Sequence, residues 1–137
     1  MITYNADDVR MPDFAHRSVS KWIKTVAEGY GFKIGELGYM FCSDNRLLEM
    51  NKEYLGHDYF TDIITFDYVE GNVINGDIAI SVDTVRKNAE EYGVTFDQEL
   101  MRVMIHGVLH LTGQNDKTDA EFAEMKAKEA TALAILN

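Results

Sequence analysis

The sequence predicts an α+β fold: one mixed sheet of about four strands packed with about five helices, in a single domain over residues 1–137. Three observations predict it. Segments with alternating or continuous apolar residues are interleaved with segments whose apolar residues recur at helical spacing. Runs of β-branched residues on either side of Glu70, Gly71 and Asn72 give one antiparallel hairpin, whereas helices lying between strands require crossovers and so a parallel component. Finally, one proline, Pro12, and no Gly/Ser-rich linker, repeat or low-complexity tract leave no place to divide a chain that is 46% apolar.

Each element has its own signal. Ile2 to Asn5 reads as a first strand, and Val19, Trp22, Ile23, Val26 and Tyr30 mark the apolar stripe of a first helix that Gly31 stops. Leu37, Tyr39 and Phe41 alternate as a half-buried strand. Ser43 can cap a second helix carrying Leu47, Met50 and Tyr54 on one face, with Gly56 at its end. Ile63 to Tyr68 and Val73 to Ser81 form the hairpin. A third helix spans Val82 to Tyr92 before Gly93, and a fourth starts near Thr95, whose Gln98 three residues on makes a capping box. Thr118 and Glu121 repeat that box at the start of a fifth helix, which is expected to turn Phe122, Met125, Leu133 and Leu136 inward and Lys126, Lys128 and Glu129 to solvent.

Charge and cysteine content narrow the functions. A net charge of -10 opposes indiscriminate adhesion to phosphates, so any RNA contact must be local or assisted by a partner. A lone cysteine, Cys42, excludes an intrachain disulfide, and it reads as a small buried hydrophobe. The start MITYNADDVR has no basic segment followed by an apolar one, and no apolar run is long enough to span a membrane. The expected location is the cytoplasm, with no membrane partner. The Tyr and Phe positions fit core stripes better than a base-stacking platform.

The segment that carries chemistry is His106-Gly-Val-Leu-His110-Leu-Thr-Gly113-Gln-Asn-Asp116, on the helix near the C-terminal end. Histidines four apart project from nearly one helix face and can share one ion. Gly113 falls where the helix would stop, which could return the Asp116 carboxylate to the pair. Three protein ligands with a position left for water is the usual arrangement of catalytic zinc. The same residues also permit two unrelated histidines and an acid that forms a turn.

The motifs resemble those of the YbeY family, bacterial metallo-endoribonucleases of ribosomal RNA maturation, whose signature reads His-Gly-x-Leu-His-Leu-x-Gly-Tyr-Asp-His. His106, Gly107, Leu109, His110, Leu111 and Gly113 match in register; upstream, Asn51, Tyr54, Thr61, Asp62, Ile63 and Phe66 are similar to its Asn-x-x-Tyr … Thr-Asp-Val-Leu-Ser-Phe segment, and Gly76-Asp77-Ile78 to its Gly-Asp-Ile strand. The resemblance implies one divalent ion per chain, zinc or another metal, held by His106, His110 and Asp116. It further implies metal-dependent cleavage of single-stranded RNA, with metal-bound water or a ribose 2′-hydroxyl as the attacking group, in maturation of the 16S rRNA 3′ end and in ribosome quality control. The partners implied are ribosomal RNA, the ribosome and its proteins, with no DNA. Asp116 stands where the family usually has its third histidine, Gln114-Asn115 where it has Tyr-Asp, and Leu55 where many members have an arginine suited to phosphate.

Three other readings stay open. A zinc peptidase also uses two helical histidines four apart, but its His-Glu-x-x-His motif needs a glutamate where this chain has Gly107. Two histidines and a carboxylate also form the iron(II) facial triad. A non-catalytic ribosome-assembly factor would use the ion only to hold its fold. The general acid or base is unassigned; His57 and Asp62, in the loop after the second helix, are the candidates. Asp77, inside an apolar strand, needs a hydrogen-bonding partner if it is buried.

Overall fold

The structure, a computed structural model, describes residues 1–136. Its elements run β1 (Ile2–Ala6), α1 (His16–Gly29), β2 (Lys33–Cys42), α2 (Asp44–Leu55), β3 (Ile63–Asp67), β4 (Val73–Ser81), α3 (Val82–Tyr92), α4 (Phe96–Leu111) and α5 (Asp119–Leu136). The strands form one sheet in the order β1-β2-β4-β3. β1 and β4 both pair with β2 in parallel, as helical crossovers require, and β3 and β4 form the antiparallel hairpin, closed by a Glu70–Val73 bridge with Gly71 at φ +59°.

Local chemistry sets the helix ends. Ser43 accepts a hydrogen bond from the Arg46 amide at the start of α2, and Ser81 does the same for Thr84 at the start of α3; Gly56 and Gly93 end these helices in the left-handed conformation. Both sequence-predicted capping boxes are formed, Thr95 with Gln98 and Thr118 with Glu121.

The main core lies on one face of the sheet, where α4 packs among Trp22, Ile23 and Val26 of α1, Leu37, Tyr39 and Phe41 of β2, Ile78 and Ile80 of β4, and Met125 and Ala132 of α5. α4 comes close to the strands because Gly107 has no side chain: a Cβ there would lie 2.9 Å from Ile78 Cδ1 and 3.1 Å from Ile63 Cδ1. The other sheet face carries a smaller cluster, Cys42, Leu47, Met50, Ile64 and Ala79, under α2.

α5 differs from its sequence-based reading. Met125, Glu129 and Ala132 are its buried residues, at positions i, i+4 and i+7, whereas Phe122 is 53% exposed with the Lys126 ammonium over its ring. Met125, Leu133 and Leu136 pack inward as their spacing indicates, and the reading fails at Phe122 and Glu129 because a glutamate occupies the middle of the inward stripe. Tyr54 of α2 is likewise outward, leaning edge-on against Phe66. Asp77 proves exposed, lying over Gly38 across the strand pair, so it needs no buried partner.

Candidate metal centre

Ten of the sixteen residues of α4 are buried, so beyond its first turn its polar residues stand out. Glu99, Arg102, His106 and His110 follow one another at spacings of three, four and four, which places all four along one stripe of the helix. The helix ends in a Schellman turn: the Gly113 amide donates to His110 O at 3.0 Å and the Gln114 amide to Leu109 O at 3.2 Å, with Gly113 at φ +101°. The buried Gln114 side chain then donates to the carbonyls of Asn115 and Glu121, tying the reversed chain to the start of α5.

That reversal brings Asp116 back to α4. Its Oδ2 lies 3.5 Å from His106 Nε2. Two donors, each about 2.0–2.2 Å from one tetrahedrally held zinc, stand about 3.4 Å apart, so the separation matches neighbouring ligands of one ion and exceeds an ordinary N–H···O hydrogen bond. On the opposite side of the ring, His106 Nδ1 is 2.7 Å from Glu129 Oε2. Arg102 in turn donates to Glu129 Oε1 at 3.2 Å and, through two nitrogens, to both oxygens of Glu99 at 2.8 and 2.7 Å. Both carboxylates are 2% exposed. Burial alone would raise the Glu129 carboxyl, but the hydrogen bond with His106 and the charges of Arg102 and Lys126 outweigh it and hold Glu129 below the usual glutamate value. Hydrogen bonding to Glu99 correspondingly raises the Arg102 guanidinium.

Of the three ligands expected from the sequence, the structure brings His106 and Asp116 together. His110 stands one turn further along the same stripe, half-buried, its ring with no hydrogen bond or ion pair among the described residues. Among those residues no three His, Cys, Asp or Glu side chains gather closely enough to enclose an ion. The donor chemistry, two imidazoles and a carboxylate, still suits a single divalent ion, and two of the donors stand at coordination spacing.

The other candidates lie elsewhere. His57 is exposed, stacks on Tyr59 and contacts its hydroxyl at 3.0 Å through Nδ1. Asp62 is half-buried, and its backbone carbonyl accepts from the Ser81 amide. Neither has a hydrogen bond or ion pair with His106, His110 or Asp116 among the described residues. Cys42 is fully buried, and desolvation, with the nearby Asp8 and Asp7 charges, pushes its thiol up to about 12, as befits a packing residue. Leu55, at the position of the family arginine, is exposed.

Reasoning from sequence missed Glu99, Arg102 and Glu129. A signal was present: Glu99 and Arg102 interrupt an otherwise apolar helix in register with His106, and buried charges of this kind call for partners. Glu129 had no such mark, since α5 is rich in charge throughout.

Comparison with known proteins shows the family. The sequence model of a family described as Endoribonuclease YbeY matches residues 1–137. Proteins named Endoribonuclease YbeY are similar to this chain: one from Parabacteroides distasonis is 55% identical over 135 residues, covering 98% of this chain and 95% of the relative. Others, from Phocaeicola vulgatus and Bacteroides thetaiotaomicron, are 53% and 52% identical, covering 100% and 98% of this chain and 99% and 98% of theirs. A Thermotoga maritima protein solved in solution superimposes with a TM-score of 0.66 at 22% identity, covering 98% of this chain and 90% of its own, a likeness of fold. The four-stranded mixed sheet with five helices is thus shared with a solved structure, and with a family match over its full length this chain belongs to the YbeY family.

Proposed function

We propose that the chain, acting as one hydrolase domain over residues 1–137, is a metal-dependent endoribonuclease that cuts single-stranded RNA in the cytoplasm, in maturation of the 16S rRNA 3′ end and in ribosome quality control. The observation that carries this reading is the two-sided environment of His106: Nε2 at ligand spacing from Asp116, Nδ1 against a buried carboxylate. The names of relatives more than 50% identical over nearly the whole chain support the reaction class. His106, His110 and Asp116 would hold one divalent ion, zinc in our reading, and His57 and Asp62 would at most contact the substrate. The ion, when bound, supplies Lewis acidity toward a phosphoryl oxygen and a nucleophile at neutral pH. Asp116 and the histidines orient it, and the buried face of α4 keeps bulk water from behind the site.

RNA must approach a chain of net charge -10, and α1 provides a local exception. Arg17, Lys21 and Lys24 are exposed along one face of α1, opposite its buried stripe, beside Ser18 and Ser20, and none has an ion-pair partner among the described residues; Glu28 continues that face one turn on. Three such cations on one helix face suit a phosphate backbone.

The peptidase reading loses its footing at Gly107. A glutamate base at that position would have to emerge between Ile78 and Ile63, into the packed contact of α4 with the sheet. A ribosome-assembly factor without catalysis is the second reading, favoured by exposed Leu55 in place of an arginine and by His110 lying apart from the other two donors. The two part in one assay. Purified protein with zinc should cut single-stranded RNA; EDTA, His110→Ala and Asp116→Ala should each abolish or strongly reduce cutting. Ribosome association by metal-loaded protein that leaves RNA intact would establish the second reading instead.

A further inference from the structure

The chain Glu99–Arg102–Glu129–His106 places three charged groups in the interface between α4 and α5, at distances of 2.7 to 3.2 Å. Such a network is costly to bury. Replacing buried charges by apolar groups is often neutral or stabilising, so stability alone gives little reason for two carboxylates at 2% exposure. The network does have a specific geometric product. Glu129 has two oxygens with separate tasks: Oε1 receives Arg102 and Lys126, at 3.2 and 3.5 Å, and Oε2 alone faces His106 Nδ1. An ionised carboxylate has no proton to give, so the contact with Nδ1 requires the ring to donate from that nitrogen. A neutral imidazole protonated at Nδ1 has its lone pair at Nε2, the nitrogen that faces Asp116.

Resting on the metal reading above, we propose that Glu129 and Arg102 are positioning residues: Arg102 orients Glu129, and Glu129 fixes His106 in the Nδ1–H tautomer that leaves Nε2 as the ligating nitrogen. Neither residue touches substrate or ion. Glu99 completes the arrangement by binding the remaining nitrogens of Arg102, so that the guanidinium cannot turn toward solvent.

The test uses a near-isosteric change. In Glu129→Gln, Arg102 and Lys126 both donate at the Oε1 position and must face the one remaining oxygen, which aims the amide NH2 at His106 Nδ1. That group donates, so the ring is forced into the opposite tautomer, with its proton on Nε2. Nitrogen-15 NMR of histidine-labelled, metal-free protein reads directly which ring nitrogen carries the proton. The wild type should show Nδ1–H and the variant Nε2–H, and zinc affinity measured by chelator competition should fall about 10- to 100-fold in the variant. Circular dichroism confirms that the variant is folded, and Glu129→Leu, with no polar atom to aim, should lose the Nδ1–H preference without imposing the other tautomer. An unchanged tautomer in Glu129→Gln, or a reversed tautomer with unchanged zinc affinity, overturns the proposal and leaves Glu129 as a packing residue. Wild type that takes up no zinc would defeat the metal reading, while the tautomers would still decide whether Glu129 sets the ring.

Discussion

Cys42 shows how much one residue's surroundings decide. Its side chain is fully buried beneath α2 and its thiol is pushed up to about 12. A folded-state value above the unfolded one means that the native chain holds its proton longer. The associated stability is therefore complete below about pH 9, the free thiol's value, and is lost as pH rises from there toward 12. Urea unfolding at pH 8 and 10.5 should show lower stability at the higher pH, and Cys42→Ala should reduce that difference while being less stable at both. At pH 8 the folded thiol should resist alkylation that labels the unfolded chain rapidly. Spacing and motif together singled out His106, His110 and Asp116, of which the structure brings His106 and Asp116 together. Glu129 was read as solvent-facing, because the sequence offers no way to see that a charge on a charged helix has been drawn inward to meet a histidine 23 residues away.

At the level of elements, the sequence carried most where local chemistry is decisive. Capping boxes at Thr95 and Thr118, the serine cap at Ser43 and glycine stops at Gly56 and Gly93 all form as their residues require. In α5 the inward packing of Met125, Leu133 and Leu136 was legible, whereas Phe122 and Glu129 were misread because the buried glutamate interrupts the apolar periodicity. The close seating of α4 on the sheet was equally hidden, for it depends on which side chains face Gly107. Gly107→Ala sets two effects against each other: alanine favours the helix by about 1 kcal/mol, whereas pressing a methyl into Ile78 and Ile63 costs about 1–3 kcal/mol. The steric effect should win, giving a net loss of about 1 kcal/mol in urea denaturation; a more stable variant would show that the two isoleucines yield freely.

On the scale of the whole molecule, charge is distributed unevenly. Most of the acidic surface should repel RNA, while the α1 face offers Arg17, Lys21 and Lys24 without carboxylate partners among the described residues. If this face tracks a backbone, changing all three to glutamine should weaken binding to a long single-stranded RNA and reduce the slope of log affinity against log salt by about 2, from roughly 0.7 per phosphate contact. Fluorescence anisotropy across a salt series measures it, and an unchanged slope would remove α1 from the binding surface.

The placement of Glu129 also bears on when the site comes into being. α5 follows every other element in the chain, so a ribosome synthesises both histidines and Asp116 before the carboxylate that backs His106. A nascent chain released as far as Asp116 already has the residues of its sheet and α4 but no acceptor for the His106 ring, and its Trp22 indole lacks the Ala132 carbonyl. The order in which the chain emerges thus ties the backing of His106 to α5: until that helix docks, both histidines are present without the carboxylate that fixes one of them.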